Sequence, residues 1–310
     1  MDVFDNGTAT VGGAPINVAF HVHQLLQASG QGMGAVVSAV GDDVWGAHIL
    51  HWLEEAGLST QHVSTDALHP TGIATVFVRN GEAGYDIERE VAWDQLADNA
   101  TIQELARECS AVAFGSLAQR EEQSGVTIRR FVESVNGQRL YDVNLRVNAT
   151  DGARGYSAEI LRESCRIATI VKANSGEMDE VMQLLGMPST TLREEARLWE
   201  QMEQMRTTYG LYAVVVTRGP LGAMLLSAEG RILLANSTLA LEEVHPVGAG
   251  DAFSAGLLYG LSVGCGLAQS ARIADKLATW VTQSRSATPA ITTTVLAELR
   301  DLQSASTEEF

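Results

Sequence analysis

Short apolar, β-branched runs recur along the chain at 35–41 (AVVSAVG), 73–80 (IATVFVRN), 111–116 (AVAFGS), 139–146 (RLYDVNLR), 167–174 (IATIVKAN) and 212–219 (YAVVVTRG). Between most of them, apolar residues return every three or four positions, as in 14–30 (APINVAFHVHQLLQASG), 45–57 (WGAHILHWLEEAG) and 124–137 (SGVTIRRFVESVNG). Period-2 and continuous apolar runs predict strands, and the 3.6-residue recurrence predicts helices. Their alternation predicts βαβ units and an α/β fold, a mostly parallel sheet with helices on both faces. Residues 73–92 break the rhythm. Two extended segments flank Asn80-Gly81, which predicts a hairpin acting as a small lid. Residues 225–236 (LLSAEGRILLAN) predict a second hairpin.

In an open parallel sheet, ligands sit beyond the carboxyl ends of the strands. Polar or glycine-rich clusters follow five of the predicted strands: VGDD, GSLAQR, DVNLR, KAN and TRG. That edge is the expected site.

Composition narrows the partners. The formal net charge of −17 argues against broad binding of nucleic acid or an anionic membrane, since both need a basic face. A local anionic ligand remains compatible with it. Cys109, Cys165 and Cys265 are far apart and form no CxxC pair, which fits a reduced setting. The N-terminal residues carry no secretory pattern and no 18-residue apolar run occurs, so a cytoplasmic protein is expected.

Five segments carry candidate chemistry. In VGGAPINVA (11–19), Gly12-Gly13 permits close approach to the backbone, Pro15 suits a first helical turn, and Asn17 offers a donor and an acceptor to a polyol. A plain glycine turn with a solvent-facing Asn is equally compatible. In GDDVWG (41–46), Asp42 or Asp43 can bind hydroxyls, although an Asp ahead of a helix is usually its N-cap. In NSGE, Asn174 and Glu177 read as a capping box or as a Mg²⁺ site working through water. Thr217 and Arg218 with the glycines of TRGPLGA (217–223) can cradle phosphate or make a hairpin turn. Finally, VGAGDAF (247–253) sets three small residues ahead of Asp251 at the start of an apolar helix, where partial positive charge and free N–H groups favour anions. The P-loop, dinucleotide, HExxH and GxSxG patterns do not occur.

In this order, GGAPINVA, GDDVWG, NSGE and VGAGDAF resemble the PfkB (ribokinase-like) family of carbohydrate and nucleoside kinases, over about residues 1–300. PTGIATVFV, VAWDQL, GSLAQR and DVNLR are most similar to bacterial fructokinases, with 2-keto-3-deoxygluconate kinases next. The resemblance implies a three-layer α/β/α ribokinase-like domain over 1–310, with lid strands around 5–12 and 73–92. It implies transfer of a phosphoryl group from ATP to a sugar hydroxyl, with Mg²⁺. Asp251 matches the catalytic base, and Gly248, Ala249 and Gly250 match the anion hole. Asp2, Gly12, Gly13, Asn17, Asp43 and Arg146 match sugar-binding positions, with Gln119 or Arg120 as further candidates. Asn174, Thr217, Gly219 and Gly222 match the nucleotide side, Glu177 the Mg²⁺ side, and residues 284–289 (SRSATP) a border of the adenine. Pairing of lid sheets into a homodimer is also implied.

Two departures stand out. Family members lead into the acid equivalent to Asp2 through a buried central strand, whereas here Met1 directly precedes it, so a truncated first strand and a start upstream of Met1 are expected. His245-Pro246 replaces an Asp-Thr pair that helps hold a monovalent cation, so only weak K⁺ dependence is expected. The competing readings are a 2-keto-3-deoxygluconate kinase, with Arg146 facing a substrate carboxylate, and a catalytically weak member that only binds sugar or nucleotide.

Overall fold

The computed structural model describes residues 1–4, 7–79, 82–188, 192–235 and 245–304. The turn at Asn80-Gly81, Asp5 and Asn6 of the expected lid, Asn236 and the last six residues lie outside the described residues.

The chain opens with β1 (Asp2–Phe4), β2 (Ala9–Thr10) and α1 (Ala14–Ser29), then β3 (Ser38–Gly41), α2 (Val44–Glu55) and β4 (Val63–Asp66). A hairpin of β5 (Ala74–Arg79) and β6 (Glu82–Ile87) follows, then α3 (Ala100–Glu108), β7 (Ala111–Gly115), α4 (Glu122–Ser134) and β8 (Gln138–Asp142). Next come α5 (Ala158–Ile167), β9 (Ile170–Asn174), α6 (Ser175–Leu184), α7 (Glu194–Tyr209) and β10 (Ala213–Thr217). The β11 (Ala223–Ser227)–β12 (Gly230–Leu234) hairpin leads to α8 (Ala249–Ser262), α9 (Leu267–Val281) and α10 (Thr293–Ser304).

Six strands form the main sheet in the order β12-β11-β10-β9-β8-β7. Strands β7 to β10 are parallel and β11 and β12 antiparallel. Neighbouring residues along these strands serve opposite layers, as the two-residue period requires. Tyr141, Val171, Val214 and Val216 pack on Leu161, Met178, Leu198 and Met202 from α5, α6 and α7. Leu140, Ile170, Ala213 and Val215 pack on Phe253, Leu257, Leu267 and Ala271 from α8 and α9. Burial on both faces explains why these strands read as continuous apolar runs. This is the three-layer α/β/α arrangement, with a four-stranded sheet, β2-β1-β5-β6, standing beside it.

One feature departs from a single open sheet. Strands β3 and β4 pair in parallel as a separate two-stranded sheet. An apolar slot separates β3 from β7, lined by residues 36–40 on one side and 113–116 on the other. All five residues of β7 stay half-buried although helices cover the strand, because one edge of it fronts this slot.

Candidate active site

The site forms where loops leave the carboxyl ends of the parallel strands. Asp142 ends β8, Asn174 ends β9, and Thr217 ends β10 opposite Asn174 in the ladder. Two cavities, of about 300 and about 170 Å³, meet there. Asp2, Gly12, Gly13 and Asn17 line the larger one. Lys172, Asn174, Glu177, Thr217 and Gly250 line the smaller one. Asp251, Gly248, Arg146, Asp142, Asn144 and Tyr85 border both.

Asp251 occupies the first turn of α8. One of its oxygens, Oδ2, accepts from Asn17 Nδ2 at 2.7 Å. Burial raises its pKa, and the Asp142 charge adds to the rise. The Asn17 bond and the cations Lys172 and Arg146 pull the other way. Asn17 Oδ1 is buried without a protein partner, which leaves an acceptor for a ligand hydroxyl. Gly248 precedes α8 in the left-handed region, at φ 84°, and a Cβ there would lie 2.6 Å from Ala287 Cβ. Glycine is therefore required twice over at 248. No side chain caps this helix; Ala249 N donates to Pro246 O at 3.2 Å, and the Gly250 backbone beside it lines the smaller cavity, where the N-terminal end of the helix favours an anion.

On the larger cavity, the Asp2 carboxylate lies where a Cβ on residue 12 would sit, so the bare Gly12 backbone is what admits it. Burial raises the Asp2 pKa, against the Met1 amine and Arg146. Arg146 stacks over the Tyr85 ring at 5.0 Å, linking the loop after β8 to the lid strand β6. Gly13 stands at the N-cap of α1.

On the smaller cavity, Asn174 and Glu177 form the reciprocal capping box of α6. Glu177 N donates to Asn174 Oδ1 at 3.0 Å and Asn174 N to Glu177 Oε2 at 2.9 Å. Leu145 N donates to Glu177 Oε1 at 2.8 Å. Burial raises the Glu177 pKa, and these two N–H bonds oppose the rise. Its carboxylate keeps lone pairs toward the cavity. Mg²⁺ characteristically takes one or two protein carboxylates and retains its waters, so Glu177 fits such an ion without a dedicated cage. Among the described residues no cluster of three or more His, Cys, Asp or Glu side chains could hold a metal alone.

Several expected residues stand apart from the cavities. The Asp43 carboxylate caps α2 through Gly46 N at 2.8 Å and accepts from Thr71 N and Thr71 Oγ1, both at 2.7 Å. Those bonds lower its pKa against the opposing effect of burial. Gly219 and Gly222 shape the 3-10 turn between β10 and β11, closed by Arg218 N to Gly222 O at 2.7 Å. Neither they nor Ala249 lines either of these two cavities. Gln119 bonds Gly115 O and Ser164 Oγ, and Arg120 makes a bidentate pair with buried Asp94 over the Trp93 ring. The Arg120 guanidinium and Gln119 Nε2 are thus engaged inside the protein, while Gln119 Oε1 is buried without a partner.

The sequence reading missed Lys172. Its Nζ lies 2.6 Å from Asp142 Oδ2, directly across the β8–β9 ladder, and only 4% of the residue is exposed. A charge in the middle of the apolar run IATIVKAN was the available signal, since a buried lysine requires a counter-charge. Removing one member of such a pair costs about 3–5 kcal/mol.

The model of the pfkB family carbohydrate kinases matches residues 4–294. The chain belongs to that family. It is a carbohydrate kinase. An uncharacterized sugar kinase of Pyrococcus horikoshii is 28% identical over 280 residues, covering 89% of this chain and 82% of that protein. Its crystal structure superposes with a TM-score of 0.75 at 23% identity, over 98% of this chain and 96% of that one. A fructokinase of Rhizobium leguminosarum bv. trifolii is 24% identical, over 81% of this chain and 72% of that protein. The structure of Vibrio cholerae O395 fructokinase with fructose, ADP and calcium ion gives a TM-score of 0.74 at 22% identity, over 96% and 95%. At these identities the superpositions carry the ribokinase-like fold. No helix among the described residues is long and apolar enough to cross a membrane.

Proposed function

We propose that this carbohydrate kinase transfers the γ-phosphoryl group of ATP to a hydroxyl of fructose, with Asp251 as the general base. The observation that carries this reading is the position of Asp251. It borders both cavities, holds a bond from Asn17, and lies in the uncapped first turn of α8. The larger cavity suits the sugar: Asn17 Oδ1, Asp2 and Arg146 offer hydroxyl partners around it. The smaller cavity, with Asn174, Thr217 and the backbone of Gly248 and Gly250, suits the phosphate chain of ATP.

Asp251 takes the proton of the sugar hydroxyl as the oxygen forms its bond to the γ-phosphorus and the bond to ADP breaks. The base contributes about 10²–10⁴ in rate. The N–H groups of 248–250 meet the charge that develops on the transferred group, and the remainder is positioning. Glu177 would hold Mg²⁺ on this side, and the ion would supply charge neutralisation for the phosphates. With His245 ahead of this turn, exchange of Na⁺ for K⁺ is expected to leave turnover little changed; a large rise in K⁺ overturns that expectation.

Fructose is supported by the fructokinases among the relatives and by the fructose in the Vibrio cholerae structure. A second reading is a 2-keto-3-deoxygluconate kinase, favoured by the Arg146 guanidinium bordering the sugar side. ADP release measured with fructose, keto-deoxygluconate and ribose decides between them. Fructose should give the highest kcat/KM, and turnover of the keto-acid but not fructose refutes the first choice. Pairing of two copies through the four-stranded lid sheet is part of the same proposal, and sedimentation of the purified protein tests it.

A further inference from the structure

The first turn of α8 has to leave its amides free for the transferred group, and no side chain caps it. Uncapped helix ends fray, so the turn needs support from elsewhere. Ser254, one turn into the helix, supplies it. The single Oγ proton is shared between Gly250 O at 3.1 Å and Asp142 Oδ2 at 3.0 Å. The same Asp142 oxygen accepts from Lys172 Nζ at 2.6 Å. Ser254 and Lys172 are both buried. A Cβ on residue 250 would lie 3.6 Å from Lys172 Nζ, so the turn rests directly against the ammonium group.

We propose that Ser254, Asp142 and Lys172 form a strut that ties the first turn of α8 to strands β8 and β9, and so aims Asp251 and the amides of 248–250. The three are positioning residues. The strut replaces the cap that an anion-binding turn cannot have, because a capping side chain would occupy the N–H groups the phosphoryl group needs. A cross-strand ion pair is a suitable anchor: its two ends are fixed by the β8–β9 ladder, and burial strengthens both bonds. The inference rests on the reading of Asp251 and 248–250 as the phosphoryl-transfer machinery.

Ser254→Ala is the test, because it removes one hydroxyl and leaves the ion pair intact. On the sugar with the highest turnover, kcat should fall about tenfold while KM for the sugar stays within about twofold, as expected for misplacement of reacting groups. Amide hydrogen exchange of residues 248–254, read without substrates, should accelerate in Ser254→Ala and in Lys172→Met. Wild-type kcat together with wild-type exchange in Ser254→Ala overturns the strut, and so does a raised KM with kcat intact, which would assign Ser254 to sugar binding. Absence of turnover on every sugar would defeat the kinase reading, while the exchange measurement would still decide the strut.

Discussion

Asn17 Nδ2 donates to Asp251 Oδ2 at 2.7 Å, joining two residues 234 positions apart. The bond ties α1, on the larger cavity, to the first turn of α8, where Asp251 borders both cavities. It also stabilises the ionised form of Asp251, the form a general base requires.

The pH profile should report this bond. Burial holds the Asp251 pKa above the ordinary aspartate range, so kcat/KM is lost as pH falls through that raised value. In Asn17→Ala one lowering contribution disappears, and the acid limb should move to higher pH. Asp251→Asn should lower turnover by about 10²–10⁴ across the whole range. An unmoved limb in Asn17→Ala refutes the electrostatic role of Asn17.

Gly248→Ala should be severe. The substitution meets both the left-handed φ of 84° and the Ala287 side chain, so the turn must shift. We expect kcat to fall by about 10² or more, in line with losing one preorganised donor. Circular dichroism should remain close to that of the parent, because the strain is confined to one turn and residues 284–290. Parent-like kcat in this variant refutes the anion-hole reading.

Stability should decline in mild acid through His21. Its Nε2 meets Ala287 O at 2.9 Å, its Nδ1 is buried without a partner, and burial lowers its pKa from 6.5 to about 4. Between those values the unfolded chain binds a proton that the folded chain refuses. The folded state therefore loses stability as pH falls from 6.5 toward 4, by about 2 kcal/mol at pH ~5. His23 and His62, also lowered by burial, act with the same sign. Urea midpoints for the parent and His21→Gln at about pH 7.5 and about pH 5 check it: the variant should lose less.

The residues legible in the sequence are those whose partners are close along the chain. The Asn174–Glu177 capping box, Asp43 ahead of α2, the β11–β12 hairpin and the glycine turn before Asp251 each involve residues within a few positions. Strand–helix alternation is likewise local, and it carries the layer architecture because a two-faced parallel sheet must be covered by helices. Asp251 stood out because small residues ahead of an acid at a helix start make a pattern that can be read in one window.

Other features depend on contacts that no window contains. Asn17 and Asp251 meet only when α1 packs beside α8. Lys172 finds Asp142 only through the β8–β9 register, and Arg120 finds Asp94, and Gln119 Nε2 finds Ser164, only through contacts far along the chain. The separation of β3–β4 from the main sheet is tertiary as well. By itself the sequence determined the alternating elements, the caps and the glycine-rich turn, because short-range sterics and hydrogen bonds specify them. Only the tertiary structure decided which charges face one another and which buried polar atoms remain open to a ligand, because burial and long-range pairing set the electrostatics of each group.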